Sequence, residues 1–194
     1  RDGCEELQGV LPERGDVRLM PQSSAMILDA NAFIESKNRF YAFDICPGFW
    51  DFVIDDFENG NAMSVSHVRD ELLAGGDDLS AWVKGKIDKV HFYDCAGDSA
   101  IVAEQRRVAK YVMGAYTKPN VVSNFLSPGV ADPWIVAYAL AYGGIVVTQE
   151  RSWTTTKKVS IIDVCDHFGI HHVNVFEFLR AEKAKFVYQR QGAI

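Results

Sequence analysis

Short apolar runs separate longer stretches with helical periodicity along most of this chain. The uncharged run 25–28 predicts a buried first strand, and the β-branched run 144–148 predicts another buried strand. Shorter strands are predicted at 63–65 and 90–93, with a short strand edge at 161–162. These segments are the candidate strands of a central sheet.

Between the strands, apolar residues recur every three or four positions. After Pro47, the apolar residues Phe49, Trp50, Val53 and Phe57 share one face, and proline is favoured in the first turn of a helix. Helices are predicted at 32–38, 47–58, 79–87, 99–116, 132–142 and 175–185, with a further helix between Ser66 and Gly75-Gly76.

Polar residues at the predicted helix starts indicate N-caps. N-caps are predicted at Asp29 or Asn31, at Ser66, at Asp132 and at Asn174, where Glu177 completes a capping box. Residues 120–129 predict a loop, and Met113 is expected on the apolar side of its helix.

The alternation of strands and helices predicts an α/β fold, most simply a parallel sheet covered by helices on both faces. A chain of 194 residues is long enough for one well-packed domain. We therefore expect a single domain at 26–190. Residues 1–25 mix charges, Gly and Pro without a period, and we expect them to be a non-native or disordered extension.

The charge balance excludes one class of nucleic-acid binder. The chain has 20 Lys+Arg against 26 Asp+Glu, a net charge of -6 and a pI near 5.3. This balance argues against a broad basic surface. It leaves open a local acidic site that attracts phosphates once it holds cations.

The cysteines and the apolar segments indicate a cytoplasmic protein. The four cysteines, Cys4, Cys46, Cys95 and Cys165, are widely separated and form no C-x-x-C pair, as is usual in a reducing compartment. A membrane span needs about 20 apolar residues. The uncharged segment 133–148 is shorter and contains two adjacent glycines, so we expect no membrane association.

Four acidic residues lie close to the ends of predicted strands. Asp29 ends the first strand, Glu71 lies in the helix after the second, Asp132 begins the helix before the 144–148 strand, and Glu150 follows that strand. Ligands of such sheets gather at the carboxyl ends of the strands. Carboxylate oxygens suit Mg²⁺, which can drive phosphodiester hydrolysis.

Each of these residues also has a structural interpretation. Asp29 and Asp132 could simply cap helices. Glu71 could be a solvated helix residue, and Glu150 could form a surface ion pair with Arg151, which would stabilise little. Spacing alone leaves both interpretations open.

The order of the acidic motifs resembles that of the PIN-domain nucleases. The motifs are LDAN, an RDEL-type helix, ADPWIVA and VVTQE. A narrower resemblance is to the PIN-like family catalogued as a domain of unknown function, DUF4411. It rests on LDANAFIESKNRFYAFDICPGFWDF at 28–52, RDELLAG at 69–75, ADPWIVAYA at 131–139, and IIDVCDHFGI followed by VNVFEFLR at 161–180. It covers roughly residues 26–185.

This resemblance implies a three-layer α/β/α PIN-like fold with a central parallel sheet. It also implies a Mg²⁺- or Mn²⁺-dependent endoribonuclease that hydrolyses RNA phosphodiester bonds. Such proteins are often toxins of type II toxin–antitoxin pairs, so the expected partners are an RNA substrate, a cognate antitoxin and, in a homodimer, a second copy.

The family's acidic residues transfer one by one to this sequence. Asp29 matches the first-strand aspartate, Glu71 the helix glutamate and Asp132 the acid that opens the late helix. Glu150 stands where many PIN domains have an aspartate; being about one methylene longer, it is expected to bind metal through water or not at all. Asn31 and Thr148 are expected to support the metal-binding and catalytic acids. Basic residues flanking the motifs, which could meet the RNA backbone or simply be solvated, are Lys37, Arg39, Arg151, Lys157 and Lys158.

Two other functions compete with the nuclease. One is a catalytically inactive PIN-like module that binds a partner protein or RNA, which the glutamate at 150 and the negative net charge favour. The other is a haloacid-dehalogenase-like phosphatase, whose usual D-x-D motif is broken here by Asn31. The aromatic residues between Phe40 and Trp50 could stack on bases, but their helical spacing favours core packing.

Overall fold

The computed structural model describes residues 25–152 and 158–188, which contain a five-stranded parallel sheet. The strands lie in the order β3-β2-β1-β4-β5. They are β1 (Met26–Leu28), β2 (Ala62–Val65), β3 (Phe92–Tyr93), β4 (Ile145–Val147) and β5 (His172–Val173). Helices flank this sheet in a three-layer α/β/α arrangement, so the predicted fold class is confirmed.

Nine α-helices cover the sheet in the described residues. They are α1 (Ala30–Glu35), α2 (Pro47–Glu58), α3 (Ser66–Ala74), α4 (Asp78–Lys86), α5 (Ser99–Ala115), α6 (Pro119–Phe125), α7 (Asp132–Tyr142), α8 (Ile161–Phe168) and α9 (Val175–Ala181). A π-helical segment, Ser36–Phe40, continues α1, and a 3-10 turn, Lys89–His91, precedes β3. None of these helices is long and apolar enough to cross a membrane.

The pairing of β1 with β4 brings the carboxyl ends of both strands to the same edge of the sheet. All residues of β1 and β2 are buried, as expected for strands covered on both faces. In the parallel pairing of β1 with β4, Leu28 lies opposite Val147. The residues that follow each strand, Asp29 and Thr148, therefore emerge side by side at the same edge.

The aromatic residues predicted to pack in the core do so with few exceptions. Trp50 is only 2% exposed and its indole N–H donates to the carbonyl of Tyr41 at 2.7 Å. Its ring contacts those of Phe43 and Trp82 at centroid distances of 4.3 and 4.7 Å. Phe40, by contrast, is 44% exposed.

A carboxylate at the start of α5 holds α7 in place. Asp98 caps α5 by accepting from the N–H groups of Ala100 and Ile101. It also accepts from the hydroxyls of Tyr93 at 2.8 Å and Tyr142 at 2.6 Å. Strand β3 and the two packed helices α5 and α7 are thus joined at one charged group.

Several predicted segments differ from the structure. Only Phe92–Tyr93 of the strand predicted at 90–93 form β3, since residues 90–91 lie in the 3-10 turn. Within 120–129, residues up to Phe125 belong to α6, because Pro119 begins it and Val121 and Phe125, four residues apart, are buried. Residues 161–162 begin α8 instead of forming a strand edge, since Ser160 caps that helix. The last helix ends at Ala181 and not at 185.

Two predicted caps are wrong, because Ser66 and Asp132 are the first residues of α3 and α7 themselves, and Val65 and Ala131 occupy the N-cap positions. Asp29 does occupy the predicted N-cap position of α1, but its side chain makes no capping bond and accepts from Thr148 instead. The capping box of Asn174 and Glu177 is confirmed. Met113 is 60% exposed and lies off the buried side of α5.

The turn before β4 depends on a glycine, and we expect Gly144→Ala to destabilise the fold by at least about 2 kcal/mol. Gly144 has φ +113°, and a Cβ there would lie 2.7 Å from Ile27 Cδ1 and 3.0 Å from the carbonyl oxygen of Ala25. Urea unfolding measures this loss of folding free energy. The matched control is Gly114→Ala in α5, where nothing lies within 4 Å of the new Cβ. A helical alanine there should stabilise by about 0.5 kcal/mol. Equal effects of the two substitutions would contradict the proposed clash.

Candidate functional site

The fold brings all four predicted acids to one cavity. The cavity has a volume of about 300 Å³, and its lining includes Asp29, Glu71, Asp132, Glu150 and Lys158. It lies where β1 and β4 end, between the two halves of a sheet whose strand order reverses at that point. Such a crevice is the usual ligand site of open parallel sheets. We refer to it as the acidic cavity.

Asp29 is held rigidly at the end of β1. It is 1% exposed, and its Oδ2 accepts from the hydroxyl of Thr148 at 2.8 Å. That hydroxyl oxygen in turn accepts from the main-chain N–H of Glu150 at 3.1 Å. Burial raises the pKa of Asp29 to about 6; the Thr148 hydrogen bond opposes this shift, and the charges of Glu150 and Glu71 add to it.

Asp132 lies in the first turn of α7 and is half-buried. Within the described residues, no group donates a hydrogen bond to its carboxylate. Burial raises its pKa well above the usual range, and the charges of Asp29, Glu150 and Glu71 raise it further, while Lys158 opposes the shift. Its negative charge is therefore poorly compensated by the protein.

Glu71 connects α3 to the start of α7. Its Oε1 accepts from the main-chain N–H of Ala131 at 2.8 Å, one residue before Asp132. Burial raises its pKa, and the hydrogen bond from Ala131 opposes that shift. The sequence-based alternative of a solvated helix residue is wrong, since Glu71 is half-buried and hydrogen-bonded.

Glu150 is anchored by both of its oxygens, and its side chain is 6% exposed. Oε1 accepts from Asn31 Nδ2 at 3.4 Å and forms an ion pair with Lys158. Oε2 accepts from the Ser160 hydroxyl at 3.1 Å and the main-chain N–H of Ile161 at 3.3 Å. Its charge is thus stabilised at the N-terminus of α8. The ion-pair partner is Lys158, not the predicted Arg151.

Lys158 places a positive charge beside the acids. Burial acts to lower its pKa, but the hydrogen bond and charge of Glu150, together with Asp132 and Asp29, raise it above the usual value. Among the other predicted basic residues, Lys37 pairs with Asp77 and Asp78. Lys157 lies outside the described residues.

The donor set suits a hydrated hard cation better than a closed cage. Asp29, Glu71 and Asp132 bring carboxylate oxygens to the acidic cavity, where the charges of Asp29 and Glu71 disfavour ionisation of Asp132. In the part of the chain that the structure describes, no three His, Cys, Asp or Glu side chains form a group that could hold a metal ion by themselves. Mg²⁺ commonly binds through one or two carboxylates and keeps several waters, so the arrangement fits that ion.

Sequence reasoning missed Ser160, which positions Glu150. The signal was present, because Ser160 and Asp163 have the spacing of a helix-start motif. The apolar pair between them was instead assigned to a strand edge. Asn31 and Thr148 were expected to support the acids, and each contacts one of them directly.

Comparisons with known proteins place the chain in a family. The family model described as Domain of unknown function (DUF4411) matches residues 26–186. Among solved structures, the chain is similar to VapBC2 from Rickettsia felis, determined bound to a DNA fragment from their promoter. The identity is 13%, the coverage 77% of this chain and 98% of that chain, and the TM-score 0.45. No curated protein matches the chain.

The family model spans most of the chain, including the four acids of the cavity and the strands that carry them. The chain belongs to the DUF4411 family.

Proposed function

We propose that this chain is an endoribonuclease that uses Mg²⁺ or Mn²⁺ to hydrolyse RNA phosphodiester bonds. The observation that carries the proposal is the convergence of Asp29, Glu71, Asp132 and Glu150 on the acidic cavity. These acids come from four separate parts of the chain; burial in the cavity raises the pKa of Asp29 and Asp132, and the charges of the neighbouring acids add to the shift. A divalent cation would relieve that repulsion and attract a phosphate. The motif order shared with the PIN-domain nucleases supports the same reaction.

We assign Asp29 and Asp132 to hold the ion together with its waters. When bound, the ion would supply the activation of a water molecule and the stabilisation of the leaving oxygen. Thr148 keeps the Asp29 carboxylate in one orientation at the edge of the sheet. Glu71 adds negative charge and sets the position of Asp132 through its bond to Ala131.

Glu150 acts as a positioning residue in this proposal. Its two oxygens accept from four donors, so it is better placed to orient Lys158 than to bind an ion directly. The Lys158 ammonium is at the cavity wall and can contact the phosphate oxygens of a bound substrate.

The resemblance to PIN-domain toxins supports three further parts of the proposal. A cognate antitoxin protein neutralises the enzyme, as in a type II toxin–antitoxin pair. The protein acts in the cytoplasm, where its RNA substrate is found. Two copies associate as a homodimer.

One observation favours the alternative of a catalytically inactive PIN-like module. The engaged carboxylate of Glu150 leaves fewer free ligands than an aspartate reaching into the cavity would. Such a module would bind RNA or a partner protein without cutting. Cleavage assays separate the two functions.

We expect Asp132→Asn to lower metal-dependent RNA cleavage at least ~100-fold, because even groups that only support metal ligands typically contribute roughly 10- to 100-fold. Cleavage of a mixed, partly structured RNA is measured with Mg²⁺, Mn²⁺ or EDTA. Asp29→Asn should have an effect of similar size.

The matched control for this assay is Asp70→Asn. Asp70 precedes Glu71 on α3 but is exposed, so its loss should leave the rate within about twofold. The nuclease assignment would be refuted if the Asp132→Asn variant kept wild-type activity, or if neither the wild type nor the variant cut RNA in a metal-dependent way.

We expect Asp29→Asn to stabilise the metal-free protein at about pH 8 by roughly 1–3 kcal/mol. The folded-state pKa of Asp29 is raised from 3.8 to about 6. The carboxyl group therefore contributes stability that is fully present below its unfolded pKa and is lost as the pH rises through about 6. The asparagine variant lacks this loss and can still accept the Thr148 hydrogen bond.

Urea unfolding in EDTA at a series of pH values measures this difference. The two proteins should be closest in stability below about pH 4 and diverge as the pH rises. Mg²⁺ should then stabilise the wild type more than the variant. A difference in stability that does not change with pH would contradict the buried-charge explanation.

A further inference from the structure

A second depression adjoins the acidic cavity and shares part of its wall. It has a volume of about 620 Å³ and contains Asn31, Glu150 and Lys158, which also line the acidic cavity. Its remaining lining includes the aromatic residues Phe40 and Phe176. We call this depression the aromatic groove. A chain lying in it would lead directly to the acids.

The floor of the aromatic groove carries an exposed aromatic pair. Phe40 is 44% exposed and Phe176 37% exposed, and their rings meet edge to face with centroids 5.1 Å apart. They come from elements more than a hundred residues apart, the π-helical segment Ser36–Phe40 and helix α9. The same chain buries Trp50 almost completely, so this exposure is not a general property of its aromatic residues.

The backbone supports a functional role for this pair. Single turns of π-helix are rare and are frequently found at functional sites. Here the π-helical segment continues α1, which begins directly after Asp29, and it ends at Phe40. The backbone irregularity thus connects the acidic cavity to the aromatic pair.

Basic side chains also line the aromatic groove. Arg151 is exposed, and the side chain of Lys158 is 57% exposed. Arg39 has a side chain that is 67% exposed and pairs with Glu35 at 2.8 Å, one turn earlier. An exposed pair of this kind stabilises little, so its guanidinium can exchange to a phosphate. Three cations therefore line the groove, against the two acids Glu35 and Glu150, in a chain whose net charge is -6.

We propose that the aromatic groove binds single-stranded RNA beside the bond to be cut, with one unpaired base packed against the Phe40–Phe176 pair, stacked on the face of one ring and meeting the edge of the other. The adjacent phosphates lie against Arg39, Arg151 and Lys158, and the next phosphodiester reaches the acidic cavity. Single-strand binders combine a basic groove with aromatic rings in this manner. A duplex fits poorly, because its bases are stacked on one another and offer no free face.

This inference rests on the proposed nuclease function for its substrate, but binding tests it without cleavage. Fluorescence anisotropy measures the affinity for a labelled short oligouridylate and for a hairpin duplex of the same length, with EDTA present. We expect the single strand to bind more tightly than the duplex. Phe40→Leu and Phe176→Leu keep an apolar side chain but remove the ring. Each should weaken single-strand binding by about 5- to 100-fold.

Two control variants isolate the role of the ring. Phe176→Trp retains a stacking surface and should bind within about threefold of the wild type. Met113→Ala removes another exposed apolar side chain, on α5, and should leave binding unchanged.

A third variant tests the contact with phosphate. Arg151→Gln should weaken binding and reduce the slope of log affinity against log salt by about 0.7. Thermal melts establish that each variant is folded.

The outcomes distinguish this inference from the proposed function. Three results would overturn the proposed role of the aromatic groove, whether or not the protein cuts RNA. They are unchanged single-strand binding in both leucine variants, equal affinity for the single strand and the duplex, and no binding by the wild type. If binding depends on the rings but the protein cuts no RNA with any metal, the result would support RNA binding in the aromatic groove and overturn the proposed nuclease function.

Discussion

The parallel pairing of β1 with β4 is the constraint on which the site depends. Leu28 lies opposite Val147, so the residues that follow the two strands meet at one edge of the sheet. A chain of hydrogen bonds then runs from the Glu150 N–H through the Thr148 hydroxyl to the Asp29 carboxylate. A shift of this register by one residue would turn each side chain of the strand to the opposite face of the sheet and break these hydrogen bonds.

The same arrangement has a thermodynamic cost. Asp29 and Asp132 lie where burial and the charges of neighbouring acids, Glu150 and Glu71 among them, disfavour ionisation. The apolar core offsets this cost: β1, β2 and most of α7 are buried, and Asp98 joins α7 to its neighbours. In the proposed nuclease, a bound cation would relieve this repulsion, which lowers the stability of the metal-free protein.

Glu150 and Lys158 occupy the boundary between the acidic cavity and the aromatic groove. Ser160 and the N-terminus of α8 hold the carboxylate from one side, and Asn31 and Lys158 hold it from the other. The ion pair therefore separates a region of excess negative charge from a region with exposed rings and cations. In the proposed reaction, the phosphodiester crosses this boundary.

Elements whose signals are local could be predicted from the residue pattern. The apolar run of β1, the β-branched residues of β4, the proline that begins α2 and the capping box of α9 all predicted structure that is present. Asn174 and Glu177 suffice for a capping box because both partners lie within one turn. The α/β class followed from the alternation of these elements, and the family followed from the order of the motifs.

The roles of the polar side chains, by contrast, became visible in the folded chain alone. Asp29 and Asp132 have the sequence context of caps, yet their carboxylates line a cavity, and Ser160 holds a glutamate that sequence reasoning paired with Arg151. The rings of Phe40 and Phe176 are in contact although the two residues are far apart in the sequence. These contacts depend on strand order and register, which no local pattern of residues encodes.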